Sequence, residues 1–231
     1  MKKALNAFIY ASLIVVTMSS CKPSADQQKI DLIRKYDRMI KLKDYGNATL
    51  YLQEYLMLDS TKVEYMDSLA RHFVVLDNVF AAEEMAKRVI EKDPFNEDMQ
   101  TLLAQVDFQK GDLLTGMARF DKLFEKTKDY KFIFKKGYIY AQAQQVNKTL
   151  EIVEQLLAAP DGDLKTIDIQ LVSNPGSEQK VKIKAAALFL KAYAYLAGQN
   201  PDTKKAYGIM QECLALQNDF EMARALVQQA F

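Results

Sequence analysis

Three columns of residues recur along this chain every 33 or 34 positions, and this period limits the fold more than any other feature. The first column is small: Ala48, Ala82, Gly116 and Thr149. Four residues later come Leu52, Ala86, Phe120 and Val153, and three further on Tyr55, Val89, Leu123 and Leu156. Offsets of four and seven return to the same face of an α-helix, so each column set marks one buried helical stripe. A small residue is needed where paired helices approach closely. A period of this length is a helix-turn-helix unit, which cannot bury its apolar face alone and must stack on its neighbours.

Local signals agree with the period. Asp44-Tyr45, Gly111-Asp112 and Gln145-Val146 mark turns between the two helices of a unit. Asp93-Pro94 closes the second unit, because proline cannot continue a helix. Thr61 and Glu64 have the spacing of a capping box, predicting a capped helix start there.

The units resemble the tetratricopeptide repeat, whose pattern runs from a bulky residue through Leu-Gly and Tyr to Ala, Phe, Ala and Pro. Residues 63–96 match it best, with Met66, Leu69-Ala70, Phe73, Ala82, Ala86, Val89 and Pro94. Residues 97–129 hold Leu103-Ala104, Gly116, Phe120 and Leu123, with Asp107 in the Tyr slot. From about 130 come Gly137, Tyr140, Thr149, Val153 and Leu156. Residues 29–62 keep Ala48, Leu52 and Tyr55, with Tyr36 in the Gly slot. A looser fifth pair covers 184–198 and 202–216, where Ala206, Met210 and Cys213 fit, and 219–230 reads as a closing helix. The resemblance implies an all-α, TPR-like α-solenoid of about five helix pairs over residues 29–231.

Residues 160–183 interrupt the repeat. Ile167, Ile169 and Leu171 alternate with polar residues, as do Val181 and Ile183, around a turn at Asn174-Pro175-Gly176. Period-two alternation predicts an inserted β-hairpin whose exposed edge could take a partner strand; the other reading is an irregular loop.

The N-terminus reads as an address. Lys2 and Lys3 precede an apolar stretch from Ala7 to Met18, about 18 Å long as a helix and too short for a bilayer core of about 30 Å. A cleaved signal over 1–20 fits better than a spanning helix. Met18-Ser19-Ser20-Cys21 resembles the relaxed lipobox of Bacteroidetes lipoproteins, with Met and Ser in place of the usual Leu and Gly or Ala. That resemblance implies a diacylglycerol thioether on Cys21, followed by a polar tether within 21–28. No aspartate follows the cysteine, so the expected location is the cell envelope, on the outer membrane facing the periplasm.

Little else suggests chemistry. The 31 basic and 30 acidic side chains leave a net charge of +1, with no footprint for nucleic acid. Cys21 and Cys213 sit in unlike contexts and suggest no disulfide. There is no CxxC, phosphate loop or nucleophile elbow, so no catalytic residue, metal ligand or cofactor is expected. His72, the single histidine, reads as a surface helix residue, and Glu83, Glu84 and Lys87 as a solvated face. Cys213 reads as an inert buried thiol.

By the family resemblance, binding falls on the inner face of the first helices. The positions carried over include Arg71, Val75, Gln105, Phe108, Phe134 and Tyr138. They lack the Lys and Asn set of the family's carboxylate clamp. Aromatics at these positions either anchor a peptide or pack against neighbouring helices, and both readings stand. The expected function is a membrane-anchored scaffold or adaptor for a protein or peptide partner. The alternative is a small-ligand or glycan-binding lipoprotein that supports nutrient uptake.

Overall fold

The computed structural model describes residues 23–162, 164–171, 173 and 177–230. The signal segment and Cys21 lie outside them. The order is α1 (Ala25–Lys41), α2 (Tyr45–Leu58), α3 (Val63–Val75), α4 (Val79–Lys92), α5 (Glu97–Gln109), α6 (Leu113–Thr127), α7 (Lys131–Gln142) and α8 (Val146–Leu157). Then come β1 (Thr166–Gln170), β2 (Glu178–Lys182), α9 (Ile183–Ala197), α10 (Thr203–Leu216) and α11 (Glu221–Ala230). This is an all-α, TPR-like solenoid of five helix pairs, a small two-stranded insertion and a closing helix. Two compact units divide it, Met1–Ala82 and Glu83–Phe231. α1 opens at Ala25, inside the stretch read as tether.

The repeat is written into the backbone as well as the side chains. The first helix of each of the first four pairs ends in a residue with left-handed φ: Lys43, Asp77, Gly111 and Gln144. In each turn the next residue donates its N–H back to the helix, from Asp44 to Met39, Asn78 to Phe73, Asp112 to Asp107 and Gln145 to Tyr140, at 2.8–2.9 Å. These are Schellman closures, which satisfy carbonyls the helix end leaves open. Three of those residues then serve as N-caps. Asp44, Asn78 and Asp112 accept from the backbone N–H three residues on. One residue thus ends one helix and starts the next, which sets a tight, reproducible turn. The capping box expected at Thr61 does not form. Thr61 gives its N–H and hydroxyl to Asp59 instead, and Lys62 stands at the N-cap of α3 with no side-chain cap bond.

The small-residue columns have direct steric reasons. A Cβ on Gly116 would stand 2.8 Å from the backbone oxygen of Ala104, and one on Gly137 would meet Ile152 and Leu190 at 2.7 and 2.8 Å. In the first unit the core is built on Leu52, Met66 and Leu69; in the second, on Phe120, Phe132, Leu156, Leu190 and Phe220.

The insertion is an antiparallel hairpin with Ile167 opposite Val181 and Ile169 opposite Gln179. Ile167, Ile169 and Val181 are buried, which explains the alternation. The outer edge of β2 is occupied from within the chain. The Gln217 amide takes the N–H of Lys182 and donates to the carbonyl of Lys180, both at 2.8 Å, as a neighbouring strand would. Glu221 holds Ser173 through its N–H and hydroxyl, and Gln179 bonds Asp219 and Glu221. The hairpin is packed structure, and the β2 edge is not open to a partner strand.

Candidate functional site

In the second unit, α7 and α9 each carry an aromatic pair four residues apart, Phe134 with Tyr138 and Phe189 with Tyr193. This spacing puts both rings on one helix face. Gly137 on α7 lets the helices close until the pairs interleave. Ring centroids lie 6.2 Å apart for Phe134–Tyr138, 6.4 Å for Tyr138–Phe189, 6.0 Å for Phe189–Tyr193 and 5.7 Å for Tyr138–Tyr193. Phe189 also meets Phe220, before the closing helix, at 5.4 Å. Pairs of this kind contribute about 0.5–1.5 kcal/mol each beyond area burial. Phe134 and Phe189 are buried, while Tyr138 and Tyr193 are half-buried. The ladder therefore runs from core to surface. Burial pushes the Tyr138 hydroxyl above its ordinary pKa, nearby Tyr193 adds to this, and a hydrogen bond with Gln142 works against it.

Polar pairs border the ladder. Lys131 on α7 reaches Glu97 on α5 at 2.5 Å, and Lys135 approaches the Thr101 hydroxyl at 3.4 Å. Burial and the neighbouring Lys131 push the Lys135 ammonium below its usual pKa, while Asp98, Glu178 and Glu97 act the other way. Asp107, out of pattern for its repeat slot, holds Arg119 of α6 at 2.8 Å, and Arg119 also donates to Gln100 at 3.0 Å. A polar tie replaces the ring the pattern expects.

The first unit has a different aromatic site. His72 lies between Tyr36 of α1 and Tyr45 of α2, at centroid distances of 5.7 and 5.5 Å. It is 8% exposed, so the surface reading of this residue is wrong. Its own helix does not reveal this, because the rings that cover it, Tyr36 and Tyr45, come from α1 and α2. Nδ1 of His72 is buried with no hydrogen-bond partner. Burial lowers the imidazole pKa and also raises that of Tyr36, whose hydroxyl bonds Ser68. Glu83, expected on a solvated face, is buried instead and accepts from Lys87 at 2.8 Å and from Lys110, and those bonds lower its pKa.

The residues singled out by sequence distribute unevenly. Arg71, paired with Asp67 at 2.6 Å, and Val75 are exposed in the first unit. Gln105 is exposed on α5, and Phe108 is half-buried against the core of the second unit. Phe134 is 4% exposed, so of its two readings packing is the one found; it supports Tyr138 and presents no free surface. Phe189 and Tyr193 were missed because the fifth pair was matched only through its second helix. The signal was present: Phe134-Lys-Lys-Gly-Tyr138 and Phe189-Leu-Lys-Ala-Tyr193 are two copies of one motif. Among the described residues no group of three or more His, Cys, Asp or Glu is placed to hold a metal. Cys213 is buried, donates to the carbonyl of Ala185, and has its thiol pushed up to about 12 by burial.

Solved structures share this fold. MamA of Desulfovibrio magneticus RS-1 superposes with a TM-score of 0.59 at 11% identity, covering 84% of this chain and 97% of that one. YrrB, described as a TPR protein with an unusual peptide-binding site, gives 0.52 at 15% identity over 85% and 90%. A thermophilic TPR protein of Thermus thermophilus gives 0.52 at 17% identity over 87% and 98%. The chain has a tetratricopeptide-repeat fold. No protein-family model and no curated protein sequence matches it.

Proposed function

We propose that this protein is a lipid-anchored adaptor of the bacterial envelope that binds a peptide or protein segment on the first helices of its second unit. The observation that carries the reading is the ladder of Phe134, Tyr138, Phe189 and Tyr193, whose outer tyrosines remain partly exposed. A ring already held by stacked neighbours loses little conformational freedom on binding, which is what an anchoring residue requires. Phe108, Gln105 and Gln142 extend the surface with one apolar and two amide groups, suited to side chains and backbone of an extended segment. The peptide site named for YrrB, on the same fold, supports the choice of ligand class. The lipobox-like Met18-Ser19-Ser20-Cys21 supports anchorage at the outer membrane, facing the periplasm.

The test is selection of binding peptides from a displayed library, followed by titration against the full chain and its Tyr138→Ala/Tyr193→Ala variant. The expected result is saturable binding that weakens at least tenfold in the variant while its helix content is unchanged. Peptides that bind both proteins equally would move the site elsewhere, and saturable thermal shifts with sugars alone would favour the glycan reading.

A further inference from the structure

The end of the first unit that carries the N-terminus of α1 also carries three exposed apolar side chains, and the chain leading to it is short. Ala25 opens α1, so four Cα steps separate it from Cys21, at most about 14 Å when fully extended. Even that reach is reduced. Ser24 caps the helix by accepting from Gln27 at 3.2 Å, and the Gln28 side chain donates to the carbonyl of Pro23 at 2.8 Å. Pro23 and Ser24 are thereby folded onto the helix start. A lipid on Cys21 therefore holds this end of the unit against the bilayer surface, leaving no room for a long stalk.

α2 returns antiparallel to α1, so its C-terminus lies at the same end. Lys29, in the first turns of α1, reaches Asp59, just past α2, at 3.6 Å. There Met57 is 86% exposed, the most exposed large apolar side chain among the described residues, with Leu58 beside it and Ile30 exposed on α1. Burying such side chains away from water is favourable, a gain the fold itself leaves unused here. The charges at this end are mixed, Asp26 and Asp59 against Lys29 and Lys62, so charge does not select what it meets.

We propose that Met57, Leu58 and Ile30 seat in the interfacial layer of the membrane and fix the orientation of the first unit on it. The inference rests on the lipid-anchor reading of Cys21. The occupant is the bilayer itself, selected by the short link and the apolar character of the end it tethers. Seating at the depth typical of interfacial apolar faces, about 5–10 Å, is compatible with that link. α1 then rises about 25 Å from the surface and carries Leu42 at its far end into solvent.

The lipidated full-length chain, reconstituted in phosphatidylcholine vesicles, provides the test. Nitroxide labels are placed through Met57→Cys and, separately, Leu42→Cys, both exposed positions. Cys213 does not compete, because its thiol is buried and raised to about 12, and Cys21 is blocked by its thioether. The expected result is a ratio of oxygen to nickel-complex collisions several-fold higher for the label at 57 than at 42, unchanged by high salt. Equal ratios in vesicle-bound protein would overturn the seating and leave the anchor intact. Absence of diacylglycerol from the N-terminal peptide by mass spectrometry, with failure to float with vesicles, would overturn both.

Discussion

The two units use aromatic residues in opposite ways. In the second, four rings pack on one another and the Tyr138 hydroxyl is hydrogen-bonded to Gln142. In the first, Tyr36 and Tyr45 enclose an imidazole whose Nδ1 has no partner. An unsatisfied buried polar atom costs about 1–3 kcal/mol, whereas each stacked pair contributes. The contrast teaches that one repeat geometry can hold either a stabilising ladder or a pH-sensitive weak point, depending on what fills the slot between rings.

The largest expected effect tests the ladder. Phe189→Ala removes the ring that touches Phe134, Tyr138, Tyr193 and Phe220, and should cost about 3–5 kcal/mol in denaturant unfolding. Hydrogen exchange should then speed up in α7, α9 and α11; faster exchange confined to α1–α3 would break the comparison. Next, Gly137→Val forces atoms into Ile152 and Leu190 and should lose about 1–3 kcal/mol through overpacking, read from the same melts.

The weak point of the first unit should show in pH. Burial lowers the His72 pKa below 6.5, so between these values the unfolded chain holds the proton and the folded chain does not. Stability from this group is complete above about 6.5 and falls as pH drops through that value toward the folded pKa. His72→Phe should remove that slope and add up to about 1–3 kcal/mol in acid. A variant whose stability is as acid-sensitive as the parent would place the sensitivity in other groups. The smallest effect concerns the turns: Gln144→Gly, at left-handed φ, should stabilise by a few tenths to about 1 kcal/mol, and Gly111→Ala should do the reverse.

Much of this architecture was legible in the sequence because the period repeats the same physical demand. Ala48, Ala82, Gly116 and Thr149 are all buried where helices pair, and the alternation at Ile167 and Ile169 announced the strand. What escaped notice depended on partners distant in sequence. Thr61 turned to Asp59 because that carboxylate already sat two residues behind it. Glu83 looked solvated until Lys110 arrived from the next helix pair. His72 and Phe134 depended on rings from neighbouring helices, and Gln217 closed a strand edge 35 residues before it in the chain. Of the ladder, the sequence reading singled out Phe134 and Tyr138 but not the Phe189–Tyr193 copy of the motif.

The central claim is that the outer tyrosines of the ladder contact a protein partner. It is tested most directly by photo-crosslinking in intact cells, with benzoylphenylalanine replacing Tyr193 or, as a control, Tyr207 on the second helix of the same pair. The account predicts a discrete adduct from position 193 that is lost in the Phe108→Ala/Tyr138→Ala background and is absent from position 207. Identical adduct patterns from both positions, or an adduct at 193 that persists in that background, would contradict it.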